Sequence, residues 1–212
     1  MTHHVSPVRT AIATAVLAIA VGGSAGGCGP AHAGAAAIVG GERITVSALE
    51  AQVTALAEQR RATNQEDVPA ADLTRDQLQR MILHGILREA AGRLDVRVSD
   101  SDVSARIDDL RARIGNPKAF RQQVLAANIG PGQLRPFVRD MLRSEGIGQA
   151  LVPQSGTVAS QQERQARQTR YLVRTARSLD ITVNPRYGRW QPRDGTVQTV
   201  LPAFVQPESQ RA

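Results

Sequence analysis

Thiols, imidazoles and carboxylates are the side chains that could do chemistry here, and the first two are scarce. Cys28 is the only cysteine, and the histidines are His3, His4, His32 and His84. A lone thiol excludes an intramolecular disulfide, so stability must come from the core. One cysteine and scattered histidines cannot build a Cys/His structural zinc site. His84 follows Met81 and Ile82 in a helical pattern, the setting of a packed or half-exposed imidazole rather than a general base. The pair Asp108-Asp109 reads as a charged helix face. No G-x-S-x-G, P-loop or EF-hand loop is present. The expectation is a protein without catalytic residues, metal or cofactor: not an enzyme.

Cys28 calls for its own chemistry, set by what precedes it. Arg9 supplies a positive charge, Ala11 to Val21 is an eleven-residue apolar run, and small residues lead from Gly22 to Gly27. That run is too short to span a bilayer as a stable helix but has the length of a secretory h-region. Residues 1–27 therefore read as a signal peptide. The junction resembles the lipobox of bacterial lipoproteins, which implies acylation of Cys28 and a membrane anchor outside the cytoplasm. It departs from that pattern at Ala25, where the family prefers Leu. The alternative is cleavage after Ala33 in Ala31-His32-Ala33, which would release a secreted chain beginning at Gly34.

Whatever Cys28 anchors must be positioned by the rest of the chain. Residues 28–36 read as a tether of small residues. Ala37 to Val46 shows two short β-branched runs around Gly40-Gly41. Ser47-Ala48-Leu49-Glu50 predicts a capping box opening a helix that ends near Arg61. After a loop over 63–74, Thr74-Arg75-Asp76-Gln77 predicts a second box, and its helix should stop at Gly92. A third helix follows Ser99 and breaks at Gly115-Asn116-Pro117. A fourth covers Lys118 to Ala127, and a fifth carries Leu134, Phe137, Val138, Met141 and Leu142, with two glycines weakening its extension to Leu151. Residues 152–156 read as a linker, 159–178 as a sixth helix and Ile181 to Val183 as a strand. From Gln191 to Ala212 the tail is expected to be extended or disordered.

Aromatics make up 3% of the chain, so the core must be built from Leu, Ile, Val and Ala, which suits helix-on-helix packing. The net charge of +7 raises the question of nucleic acid. The arginines are mixed with acids, as in Arg106-Ile-Asp-Asp-Leu-Arg111, and no RNP-like aromatic motif or zinc knuckle accompanies them. Nucleic-acid binding is not expected; a general, unspecific attraction to an anionic lipid or polymer fits the charge better.

The strand Ile38 to Thr45 leading into a capped helix resembles the entry to the N-terminal domain of SurA-type chaperones, which share related modules with PrsA-type foldases and trigger factor. The segment capped by Ser99 and the Gly130 to Leu142 segment fit the same pattern. Leu179 to Trp190 resembles the closing strand of such proteins, with Pro185-x-Tyr187-Gly188-x-Trp190 at its end. Gly40 departs from the Asn usual before the turn glycine. The resemblance implies a mostly helical chaperone module over residues 37–190, with its first and last strands paired. SurA and PrsA carry a parvulin isomerase domain before the closing helix; the interval here, 151–161, is too short for one, so isomerase activity is not expected. The implied partners are unfolded or secreted polypeptides, held non-covalently by an apolar surface for which Leu78, Met81, Ile82, Phe137 and Met141 are the candidates. The alternative is a cell-envelope adaptor that docks one folded partner.

Overall fold

The computed structural model describes residues 33–65, 67–152 and 160–198. Cys28, the apolar run, residues 153–156 of the linker and the tail beyond Gln198 lie outside the described residues. The chain enters as a hairpin, β1 (Ala35–Val39) against β2 (Glu42–Thr45), whose two-residue turn places Gly40 at φ 57° and Gly41 at φ 83°. Glycine takes both angles without strain, and this turn matches the twist of the strands it joins. Strand β1 starts two residues earlier than the tether reading put it, because Ala35 and Ala36 are buried. Their methyl groups fit a close approach that a larger side chain would block. On its other edge β1 pairs antiparallel with β3 (Thr182–Val183), so the sheet order is β2-β1-β3. Asn184 fastens the join, its backbone N–H donating to the Ala36 carbonyl (2.9 Å) and its Nδ2 to that of Ala35 (3.1 Å). The expected pairing of first and last strands is thus observed, with a third strand added.

Six helices follow among the described residues, of which α1 and α2 pack on the sheet. Helix α1 (Val46–Ala62) is capped by Thr45, whose hydroxyl accepts from the Ala48 N–H at 3.1 Å. The cap therefore sits two residues before Ser47, since β2 runs straight into the helix and Thr45 still has extended backbone. Helix α2 (Ala70–Arg93) begins one turn before the expected Thr74 box. Pro69 presets the entry, and the Thr74 hydroxyl donates to the Ala70 carbonyl inside the helix (2.7 Å). It also runs through Gly92, and Asp95 at φ 53° takes the left-handed turn instead.

Helix α3 (Asp100–Ile114) opens on a complete capping box, Ser99 with Asp102, and closes on Gly115 at φ 70°. Helix α4 (Pro117–Ala126) is capped by Asn116. Helix α5 (Leu134–Ala150) is continuous. Its Gly146 is where Val96 touches, since a Cβ there would lie 2.5 Å from Val96 Cγ1. Helix α6 (Gln161–Ser178) opens on a box of Ser160 and Glu163.

The long α2 is the hub, packed on α1, α5, α6 and β1. Leu78, Ile82 and Ile86 meet Leu49, Val39 and Ala36 in the main core. Gly85 lets β1 lie directly on α2, since a Cβ there would approach Val39 Cγ1 to 2.9 Å. The tail reading needs correction at its start. Strands β4 (Arg189–Gln191) and β5 (Thr196–Gln198) form a hairpin whose Trp190 and Val197 complete the main core. Burial of these two side chains outweighs the loop-like composition around them.

Between α3 and α5, Arg106 makes a bidentate pair with Glu145 at 2.8 and 2.7 Å. Those hydrogen bonds hold the Glu145 carboxyl below its ordinary value. A depressed folded value stabilises above the unfolded titration, and that contribution is lost as pH falls through the folded value. Both side chains are partly solvated, so the energy is small, but the titration is readable. In a carboxyl-carbon NMR titration Glu145 is expected to titrate below an ordinary glutamate. Arg106→Gln should return it to the usual range, and an unchanged midpoint would exclude the pair from solution.

Candidate functional site

Residues of β1, β2, α1, α2 and α5 together line a groove of about 370 Å³. Its floor is Val39 and Gly85, and its apolar walls are Ile44 from β2, Ala48 from α1, Met81 from α2, and Pro136 with Phe137 from α5. The mouth is polar. His84 Nδ1 lies 2.8 Å from Asp140 Oδ2, tying α2 to α5, and within α5 Arg143 donates to Asp140 Oδ1 at 2.9 Å. Arg88 pairs with Glu42, tying α2 to β2, and this hydrogen bond draws the Glu42 carboxyl below its usual range. Contacts on two sides therefore fix the width of the groove. Preorganised walls spare a ligand the cost of ordering them.

Arg80 closes one end. Its guanidinium lies over the Phe137 ring, 5.4 Å from the centroid, and donates to the Ala127 carbonyl at 3.0 Å. Burial lowers its pKa, and its Nε is buried without an acceptor among the described residues. Apolar walls with a few polar groups at the rim suit a ligand that is apolar in its side chains and polar in its backbone.

The five candidate surface residues separate. Leu78 and Ile82 are fully buried in the core and are not surface. Both fall on the α2 stripe that faces β1 and α1, the side with no room for a ligand. Met141 packs beside Val103, Ile107 and Val138 between α3 and α5. Only Met81 and Phe137 line the groove. Sequence reasoning missed Ile44, Pro136 and Arg80, which come from three different elements. The available signal was Met81, His84 and Gly85, helical neighbours in which the apolar stripe is interrupted. Among the described residues no group of three or more His, Cys, Asp or Glu side chains could hold a metal ion, and no helix is long and apolar enough to cross a membrane. Cys28 lies outside the described residues.

The sequence profile of the SurA-like N-terminal domain family matches residues 1–147. The chain belongs to that family. No curated protein and no solved structure matches it. The family module is of chaperone type. In this SurA-like domain the profile ends within α5, while α6 and β3 complete the sheet and the core.

Proposed function

We propose that this protein is an extracytoplasmic chaperone-like module that binds extended, apolar polypeptide segments in the β2–α1–α2–α5 groove. The observation that carries the reading is the partly buried pair Met81 and Phe137, from two different helices, both lining one apolar groove. Each Leu or Phe of a client that is fully buried there contributes about 1.5–3 kcal/mol before ordering costs. Met81 adapts to clients of different shape. Leu151 to Ser160 alone separate α5 from α6, which supports a module acting without a parvulin domain.

An adaptor for one folded partner needs a flat apolar face. Among the described residues the exposed large hydrophobics are Leu83, on α2, and Val152, just beyond α5, which form no flat apolar face, so the concave reading is better supported. We place the module outside the cytoplasm, held at a membrane through an acylated Cys28, on the strength of the apolar run and the lipobox-like junction.

Binding is tested by titrating the purified protein with an unstructured apolar peptide while following methyl resonances. Met81 and Ile44 should shift, and Phe137→Glu should weaken binding by at least about tenfold, the effect of losing roughly 1.4 kcal/mol. Shifts confined to other surfaces, or no suppression of aggregation of a denatured client, would defeat the reading.

A further inference from the structure

Four arginines of α6 fall on one side of the helix. Arg75, Arg88, Arg93, Arg106, Arg139 and Arg143 each have a carboxylate partner. Arg170, Arg174 and Arg177 make no ion pair or hydrogen bond among the described residues, and Arg167 has only an electrostatic attraction to Glu163, without a direct ion pair. The only acid on α6 is Glu163, already engaged in capping Ser160. Intervals of three, four and three place the four guanidinium groups within about a quarter of the helix circumference, over about 15 Å.

The opposite side of α6 is committed to the fold. Tyr171 donates its hydroxyl proton to the Ala90 carbonyl at 3.1 Å, Gln168 donates to the Ser144 carbonyl at 2.7 Å, and Leu172 packs against the core. Arg170, Arg174 and Arg177 are exposed. Half-buried Val173 and Leu151 sit among the arginines and line a shallow depression with them, sharing no residue with the peptide groove.

We propose that this face of α6 docks on the surface of an anionic lipid bilayer. Guanidinium groups pair with phosphate in a bidentate fork and tolerate partial desolvation, while Val173 and Leu151 offer apolar contact at the headgroup boundary. A nucleic acid would call for aromatic platforms, and the one aromatic of α6, Tyr171, is turned into the fold. The choice of lipid rests in part on the anchoring reading. Gly34 is six residues from Cys28, so an acylated cysteine would hold the domain within about 20 Å of the headgroups.

The test uses the full chain with Cys28→Ser, which removes acylation, and compares binding to vesicles of phosphatidylcholine alone with vesicles containing 30% phosphatidylglycerol. Taking the ratio of the two affinities cancels any contribution of the apolar run. The ratio should favour the anionic vesicles, fall about thirty-fold in Arg170→Gln/Arg174→Gln, and collapse in 0.5 M salt. Equal binding to both vesicles, or a ratio the double variant leaves unchanged, would overturn the proposal. Binding of polyglutamate or single-stranded DNA without a vesicle preference would also overturn it, and would assign the face to an acidic protein or a nucleic acid. Lipidation of Cys28 is read separately, by intact mass of the wild-type protein, so failure of the anchoring reading is distinguishable.

Discussion

Leu78→Ala is expected to lower the free energy of unfolding by about 3 kcal/mol while leaving peptide affinity of the folded protein unchanged. Leu78 is fully buried, packed with Leu49, Ile82 and Ile86 beneath the sheet. Its removal opens a cavity that α2 cannot close, because β1 already lies against Gly85. A loss of this size is a large share of the roughly 5–15 kcal/mol that holds such a domain together. Phe137→Ala should behave in the opposite way. Half-exposed on the groove wall, Phe137 contributes less to folding and more to a bound segment. Urea unfolding and peptide titration of both variants give the comparison. Lost peptide binding in a fully folded Leu78→Ala sample would mean that the core stripe, not the groove, meets the ligand.

That contrast marks how far the sequence could be read. The helices were legible because their stripes repeat at three and four residues and because Ser99 with Asp102 declares its start without competition. The pairing of β1 with β3 was legible only through family resemblance, since partners as distant as Ala37 and Val183 carry no local signal for it. Helix starts were misplaced where two caps competed. Thr45 and Ser47 are both good caps, and the strand entering from β2 decided for Thr45. Periodicity told that Leu78, Met81 and Ile82 share one side of α2. It could not tell that the β1–β2 hairpin covers two of them and stops short of the third, because that depends on where another element ends. The groove is a property of the gap between elements, so single-helix patterns do not contain it.

Gly188→Ala should destabilise the fold by about 3 kcal/mol, the largest effect expected from one added methyl group. Gly188 has φ 128°, a backbone angle that side-chain-bearing residues rarely adopt. A Cβ there would lie 2.3 Å from the Gln198 carbonyl oxygen and 3.0 Å from Val197 Cγ1. The first of these is backbone of β5 and has no rotamer with which to yield. Relief requires β5 to leave β4, and Trp190 and Val197 would leave the core with it. Gly195→Ala is the control. It also has positive φ, at 67°, but its Cβ would meet only Trp190 Cη2 at 4.0 Å, so the expected cost is about 1 kcal/mol. Trp190 is the only tryptophan and is buried, so its emission reports the hairpin directly. Gly188→Ala should shift that emission to the red at temperatures where the helical signal persists. Unchanged emission and an unchanged Tm would show that the C-terminal hairpin is not part of the cooperative core, and that the domain closes at β3 instead.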